Sequence, residues 1–172
     1  MYNIDQQDKV IVLKNAPQSS VGAPLPFVMS DEHNLLLAYI YAQLPGELDG
    51  SYVKVIDSNS SKDPVALIQF HHYYAYFFGP PNDDALEGHP LTDRGLEPYG
   101  VFQVLQSSWV RQLERMNSIH PYHDSKRFEK LNHYIFTFHD STFECVAKDF
   151  TVTIHTGPLK SILPKMHGLL KW

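Results

Sequence analysis

The sequence predicts a mainly β, α+β domain, an antiparallel β-sandwich or open barrel with one principal α-helix over about residues 107–120. Three observations carry that prediction. Short runs alternate apolar and polar residues with the period of two that a strand imposes. Turn-forming residues separate these runs. One stretch alone, "SSWVRQLERMNSIH", keeps helical spacing over several turns. Ten Tyr, ten Phe and two Trp point the same way, because aromatic rings fit a pleated surface. A strict strand–helix alternation is absent, so a doubly wound parallel sheet is disfavoured.

The elements follow in order. "KVIVLK" at 9–14 reads as a first strand, and the Pro/Gly/Ser-rich 15–26 as a connection. "HNLLLAYIYAQL" at 33–44 suits a buried strand ending at the turn "PGELDG". "SYVKVID" at 51–57 alternates. "VALIQFHHYYAYFF" at 65–78 is the longest strand candidate, with room for a bend or bulge near the histidines. Both of its faces carry apolar or aromatic residues, as in a central strand covered on both sides. After residues 79–100, "YGVFQVLQ" is a short strand. Ser107 or Ser108 caps the helix, Trp109, Leu113, Met116 and His120 form its stripe, and Pro121 ends it. Asp124 is placed to cap a further short turn. "HYIFTFHDSTFECVAKDF" at 133–150 reads as a hairpin. Its expected register sets Phe138 opposite Phe143 and Phe136 opposite Cys145, with a loop of about four residues because Asp140-Ser141 supplies no glycine. "FTVTIH" at 150–155 continues as another strand, and the tail has apolar anchors at Leu159, Ile162, Leu163 and Leu169.

A chain of 172 residues fits a single domain, 1–172. Its net charge of −5, with no basic stripe, argues against nucleic acid and anionic membrane surfaces as partners. One cysteine, Cys145, excludes an internal disulfide and a Cys-rich zinc site. The polar N-terminus has no signal-peptide pattern, and the longest apolar run, 35–42, is too short to span a bilayer. A soluble, cytoplasmic protein without a cofactor is expected.

Ten histidines on a β-rich scaffold raise the question of a metal. Two histidines one residue apart on a strand would converge on one ion, but no H-x-H occurs, and adjacent His71 and His72 point to opposite faces. His89 and His139 are the metal candidates that remain. Glu144 sits mid-strand on the face that carries His133, Ile135, Thr137 and His139. If that face is buried, Glu144 becomes an acid/base candidate with His139 as its partner; if solvated, it is an ordinary polar strand residue. No nucleophile elbow and no phosphate-binding glycine loop is present. By register Cys145 lies with Phe136 and Phe143 as an inert core thiol.

The segment "FGPPNDDALEGHPLTDRGLEPYG", residues 78–100, is the most unusual. Residues 79–100 carry a net −4 and exceed the usual loop length. Leu86, Leu91, Leu96 and Tyr99 would anchor it as an ordered loop. In one reading Asp83, Asp84, Glu87 and His89 form a partner-binding lip. In the other the acids face the basic residues of 111–130, which carry a net +2.

"FFGPPNDDALEGHPL" and "HYIFTFHDSTFECVA" together resemble a small, uncharacterised bacterial family of single-domain proteins. The resemblance covers residues 70 to 150. It implies a stand-alone domain and carries no activity, cofactor or partner onto any residue. The expected function is therefore a non-enzymatic binding or interaction domain using the acidic 79–100 loop, with a protein or small-molecule partner and a homodimer through the aromatic strand as a further state. The alternative is a metal-dependent or acid/base hydrolase using histidines and carboxylates of the loop and the 133–150 hairpin.

Overall fold

In the computed structural model, residues 2–42 and 63–170 are described. They form two antiparallel sheets packed face to face in an open sandwich, with a few short helices. The five-stranded sheet has the order β1 (Lys9–Val12), β6 (Val101–Leu105), β7 (Asn132–Thr137), β8 (Thr142–Ala147), β5 (Ala75–Gly79). The four-stranded sheet runs β2 (Phe27–Ser30), β3 (Leu35–Ile40), β4 (Pro64–His71), β9 (Asp149–Thr156). The strand expected at 51–57 and the turn at 45–50 lie outside the described residues.

Between the sheets, Leu35, Leu37, Tyr39 and Phe70 meet Tyr134, Phe136, Phe143 and Cys145. Phe70 is the hub: its ring centroid lies 5.4 Å from Phe143 and 5.8 Å from Phe136. Burial of these rings is the main non-directional force holding one sheet on the other.

The two sheets are joined by a folded ribbon. β4 pairs with β9 and β5 with β8, so 64–79 and 142–156 form one long antiparallel pair that turns from sheet to sheet. At the corner three residues, His72 to Tyr74, oppose two, Ala147 and Lys148. This is a bulge, and bulges bend strands. His72 takes a positive φ of 50° there. Tyr74 N–H donates to the Val146 carbonyl at 2.7 Å and Lys148 N–H to the His71 carbonyl at 3.0 Å, closing the corner on both sides. The expected bend near the histidines is therefore present, but it splits the strand. β4 is central and covered, as anticipated; β5 is an edge, and Tyr74, Tyr76, Phe77 and Phe78 are each exposed by more than a third.

The hairpin β7–β8 keeps the expected faces in a register shifted by two residues. Phe136, not Phe138, lies opposite Phe143, and Ile135 lies opposite Glu144. The loop Phe138–Ser141 closes one residue earlier, with Phe138 N–H donating to the Ser141 carbonyl at 2.9 Å. The closing pair Thr137–Thr142 is tied down by its hydroxyls, Thr137 to the Glu97 carbonyl at 2.8 Å and Thr142 to the Pro81 carbonyl at 2.9 Å. A shift of two leaves every side chain on its own face.

The principal helix, α1 (Ser108–Asn117), begins at the expected cap: Ser107 Oγ accepts from Val110 N–H at 3.3 Å. It ends before residue 120, and Met116, at 65% exposed, does not join the core. The short α2 (Ser125–Phe128) is capped by Asp124, as its sequence predicts. Two elements were not anticipated: β2, just after the 15–26 connection, and α3 (Leu163–Leu169). With the preceding turn, α3 lays Leu159, Ile162 and Met166 on the outer face of the four-stranded sheet. The outer face of the five-stranded sheet is covered by residues 79–100 and the N-terminal segment, through Leu86, Leu91, Leu96 and Tyr2.

Candidate functional site

The 79–100 loop is ordered by its leucines. Leu86, Leu91 and Leu96 are 3% exposed or less and pack on Phe102, Val104 and Ile135. Asn82 Oδ1 accepts from Ala85 N–H at 3.1 Å, starting a tight turn over Leu86–Gly88. This packing carries His89 inward, onto the same sheet face as Glu144. Both are buried, at 3% and 1% exposed.

An isolated buried carboxylate is costly unless donors surround it. Glu144 has three. His89 Nε2 lies 3.1 Å from Oε1, His133 Nε2 lies 2.9 Å from Oε2, and the Tyr2 hydroxyl donates to Oε2 at 2.8 Å. The far side of each ring is also engaged. His89 Nδ1 accepts from Leu91 N–H at 3.1 Å, which fixes the ring proton on Nε2. His133 Nδ1 lies 3.0 Å from Ser107 Oγ, the same oxygen that caps α1. Asp8 Oδ1 accepts from Ser108 N–H at 2.7 Å, tying the N-terminal segment to that helix start. One network thus joins the N-terminus, the loop, the hairpin and α1.

Burial alone would raise the Glu144 pKa, but the hydrogen bonds from His133 and His89 outweigh it and hold the carboxyl down at about 2. The Tyr2 hydroxyl moves upward, through burial first and the Glu144 charge second, and stays a donor. Glu144 is therefore a fixed anion at neutral pH.

Beside it lies a cavity of about 280 Å³ lined by Tyr2, Tyr76, Phe77, Trp109, Gln112 and Glu144. Tyr2 and Trp109 stack with centroids 5.2 Å apart and planes 7° from parallel, and both stand edge-on to His133. Tyr76 and Phe77, from the edge strand β5, are each 39% exposed. A larger hollow of about 860 Å³ lies at the sheet corner among His33, His71, His72, Arg127, Lys130 and Lys148. Its cations are exposed, with Arg127 at 80%, so solvent screens them.

The candidates read from the sequence fall in separate places. Glu144 and His89 meet. His139 does not join them: it lies in the hairpin loop, 46% exposed, with Nδ1 3.7 Å from Asp83 and 3.2 Å from Asp140. Asp83 also accepts from the Tyr99 hydroxyl, and this bond foremost, then the one from Asp84 N–H and the nearby His139, lower its pKa although burial works against them. Asp84 and Glu87 are exposed. The acids of the loop do not pair with 111–130 among the described residues; Arg111 bonds Asp5 at 2.6 Å instead. Among the described residues, no group of three or more His, Cys, Asp or Glu is arranged to hold a metal ion. In the Glu144 network both histidine Nε2 atoms point at the carboxylate rather than at a shared point.

Sequence reasoning missed His133, Tyr2, Ser107 and Trp109 as members of the site. For His133 the signal existed, since it shares Glu144's face of the hairpin. Tyr2, 142 positions away from Glu144, left no local signal.

No family model, no curated protein and no solved structure matches this chain. Among the described residues, no helix is long and apolar enough to cross a membrane.

Proposed function

We propose that the protein is a non-enzymatic binding domain whose recognition site is the cavity between Tyr2, β5, α1 and Glu144. One observation carries the reading. Every imidazole nitrogen beside Glu144 is already committed, to the carboxylate on one side and to Leu91 N–H or Ser107 on the other. No histidine is left to exchange a proton with an occupant of the cavity, as an acid/base site requires. What does face the cavity is aromatic surface, part of it on an exposed edge strand, which is the composition of a recognition site. Acid/base hydrolysis by Glu144 and His139 has less support, because the two side chains have different partners. The 79–100 loop serves this reading by holding His89 under the carboxylate.

The test is a screen of small ligands against wild type and a Gln112→Trp variant, which fills the cavity from the helix side. Ligands that raise the melting temperature of wild type leave that of the variant unchanged. A hydrolytic activity that Glu144→Gln abolishes and Gln112→Trp leaves intact would overturn the proposal in favour of the acid/base alternative.

A further inference from the structure

We infer that the cavity beside Glu144 takes a cationic group, an alkylammonium, held by its aromatic walls and by the carboxylate at its floor; this rests on the binding role proposed above.

The argument begins with charge. Glu144 lines the cavity, and none of the other lining residues, Tyr2, Tyr76, Phe77, Trp109 and Gln112, is basic. The donors that surround the carboxylate, His89, His133 and Tyr2, are all turned onto it. The floor therefore presents a negative charge with no donor to spare. An anionic occupant meets repulsion, and a neutral one gains only contact area. A cation gains an attraction that the three donors on the carboxylate reduce but do not cancel, in a partly desolvated setting where it is screened less than at the surface. A carboxylate has about four lone-pair positions, and three are filled here; Oε1 has a single partner, His89, and can accept one more donor.

The walls agree with the floor. The face of an aromatic ring attracts a cation within about 6 Å of its centroid, and Trp does so best. Four rings, one of them Trp109, surround a space of about 280 Å³. That is below the usual range for a drug-sized ligand and suits the head of a small amine or of a long side chain. The stacking of Tyr2 on Trp109 and their edge contacts with His133 hold this wall in place before any ligand arrives. The net −4 of residues 79–100 adds an attractive field of the same sign.

The experiment compares two molecules of nearly one shape. Choline carries a trimethylammonium head, and 3,3-dimethylbutan-1-ol replaces that nitrogen by carbon. Both are titrated into the full chain, with n-butylammonium as a third probe, and the Trp109 indole N–H is followed by NMR. The expected result is that choline or butylammonium binds at least about tenfold more tightly than the neutral alcohol. Glu144→Gln should erase that preference. Should that variant fail to fold, Phe77→Leu, which removes one wall ring but keeps its apolar bulk, should weaken the cations several-fold relative to the neutral alcohol. Equal affinity for choline and the neutral alcohol would overturn the cationic assignment and leave the binding role standing. Failure of all three probes to move the Trp109 signal, while other ligands from the screen do, would overturn it as well. Ligand binding that Gln112→Trp leaves intact would instead overturn the choice of cavity.

Discussion

The two sheets turn their outer faces to two very different covers. On the four-stranded sheet, Leu36, Ala38, Ile40, Val65 and Leu67 meet Leu159, Ile162 and Met166, so the buried contact is apolar, with one bond at its exposed rim between His155 Nε2 and Ser161 Oγ at 2.7 Å. On the five-stranded sheet, the leucines of the 79–100 loop play the same part, but Glu144, His89, His133 and Tyr2 lie among them. Apolar burial is non-directional, so a cover of the first kind can settle in several ways and still be stable. A hydrogen-bonded network accepts one arrangement only, because each misplaced donor or acceptor is left unsatisfied in the interior. The second face thereby fixes four separated chain segments around one carboxylate, and beside it lies the cavity. The added precision is a reason to look for function there rather than at the α3 side.

The largest test of this contrast is Glu144→Ala. It leaves two imidazole N–H groups and a tyrosine hydroxyl buried without their acceptor. A buried donor left unsatisfied costs about 1–3 kcal/mol, and with three left at once chemical denaturation should register a loss of about 3–5 kcal/mol. A loss under 1 kcal/mol would mean that the network adds little to the leucine packing. Next comes pH. The Glu144 carboxyl is lowered from 4.5 to about 2, so its contribution is complete above pH 4.5 and fades as pH falls toward 2. A gap of that size corresponds to ~3 kcal/mol. Wild type should lose stability across that window faster than Glu144→Gln, in which His89, His133 and Tyr2 face a group that does not titrate. Parallel acid-unfolding curves for the two proteins would sink this expectation.

Met166→Ala probes the other cover. It removes a fully buried thioether side chain at an apolar contact, and substitutions of this kind cost about 2–5 kcal/mol. Because α3 is short and its buried contact is apolar, the low end of that range is expected, with the pH dependence of wild type kept. An altered acid-unfolding profile would show that the two covers are coupled through the sheets.

How much of this was legible in the sequence depended on whether the cause was local. Alternation along 133–147 gave both strands and both faces, because the period of two survives a shift of two residues. The Ser107 and Asp124 caps were legible for the same reason: a cap is a contact within three residues. The split of 65–78 into β4 and β5 was only half legible. The histidines marked the bend, but which half becomes an edge depends on pairing with β8 and β9 some 60 to 90 positions away. α3 was hidden because it is short, and Pro164 in its first turn and Gly168 near its end read as breakers, so that only the anchors stood out. Within the site, Glu144 stood out as a carboxylate on an aromatic strand and His89 as the histidine of the acidic loop, but nothing in either segment indicated that they meet. His139 looked the nearer partner in sequence, and the early closure of the hairpin loop removed it from the strand.

The smallest expected effect concerns the loop's surface charge. Asp84 and Glu87 are exposed, and their side chains make no hydrogen bond or ion pair among the described residues. The loop is held from beneath, by Leu86, Leu91, Leu96 and His89. Neutralising both acids as Asp84→Asn with Glu87→Gln should therefore change stability by no more than about 0.5 kcal/mol. In a chain of this length that is a shift of about 2 °C or less in melting temperature. The same variant should weaken a cationic ligand only slightly, and less so as salt is raised, because exposed charges act through a screened field. A fall of 5 °C or more would show that the loop is held at its surface as well as from beneath. The contrast between the two covers would then lie in the charges around the loop and not in the single buried carboxylate.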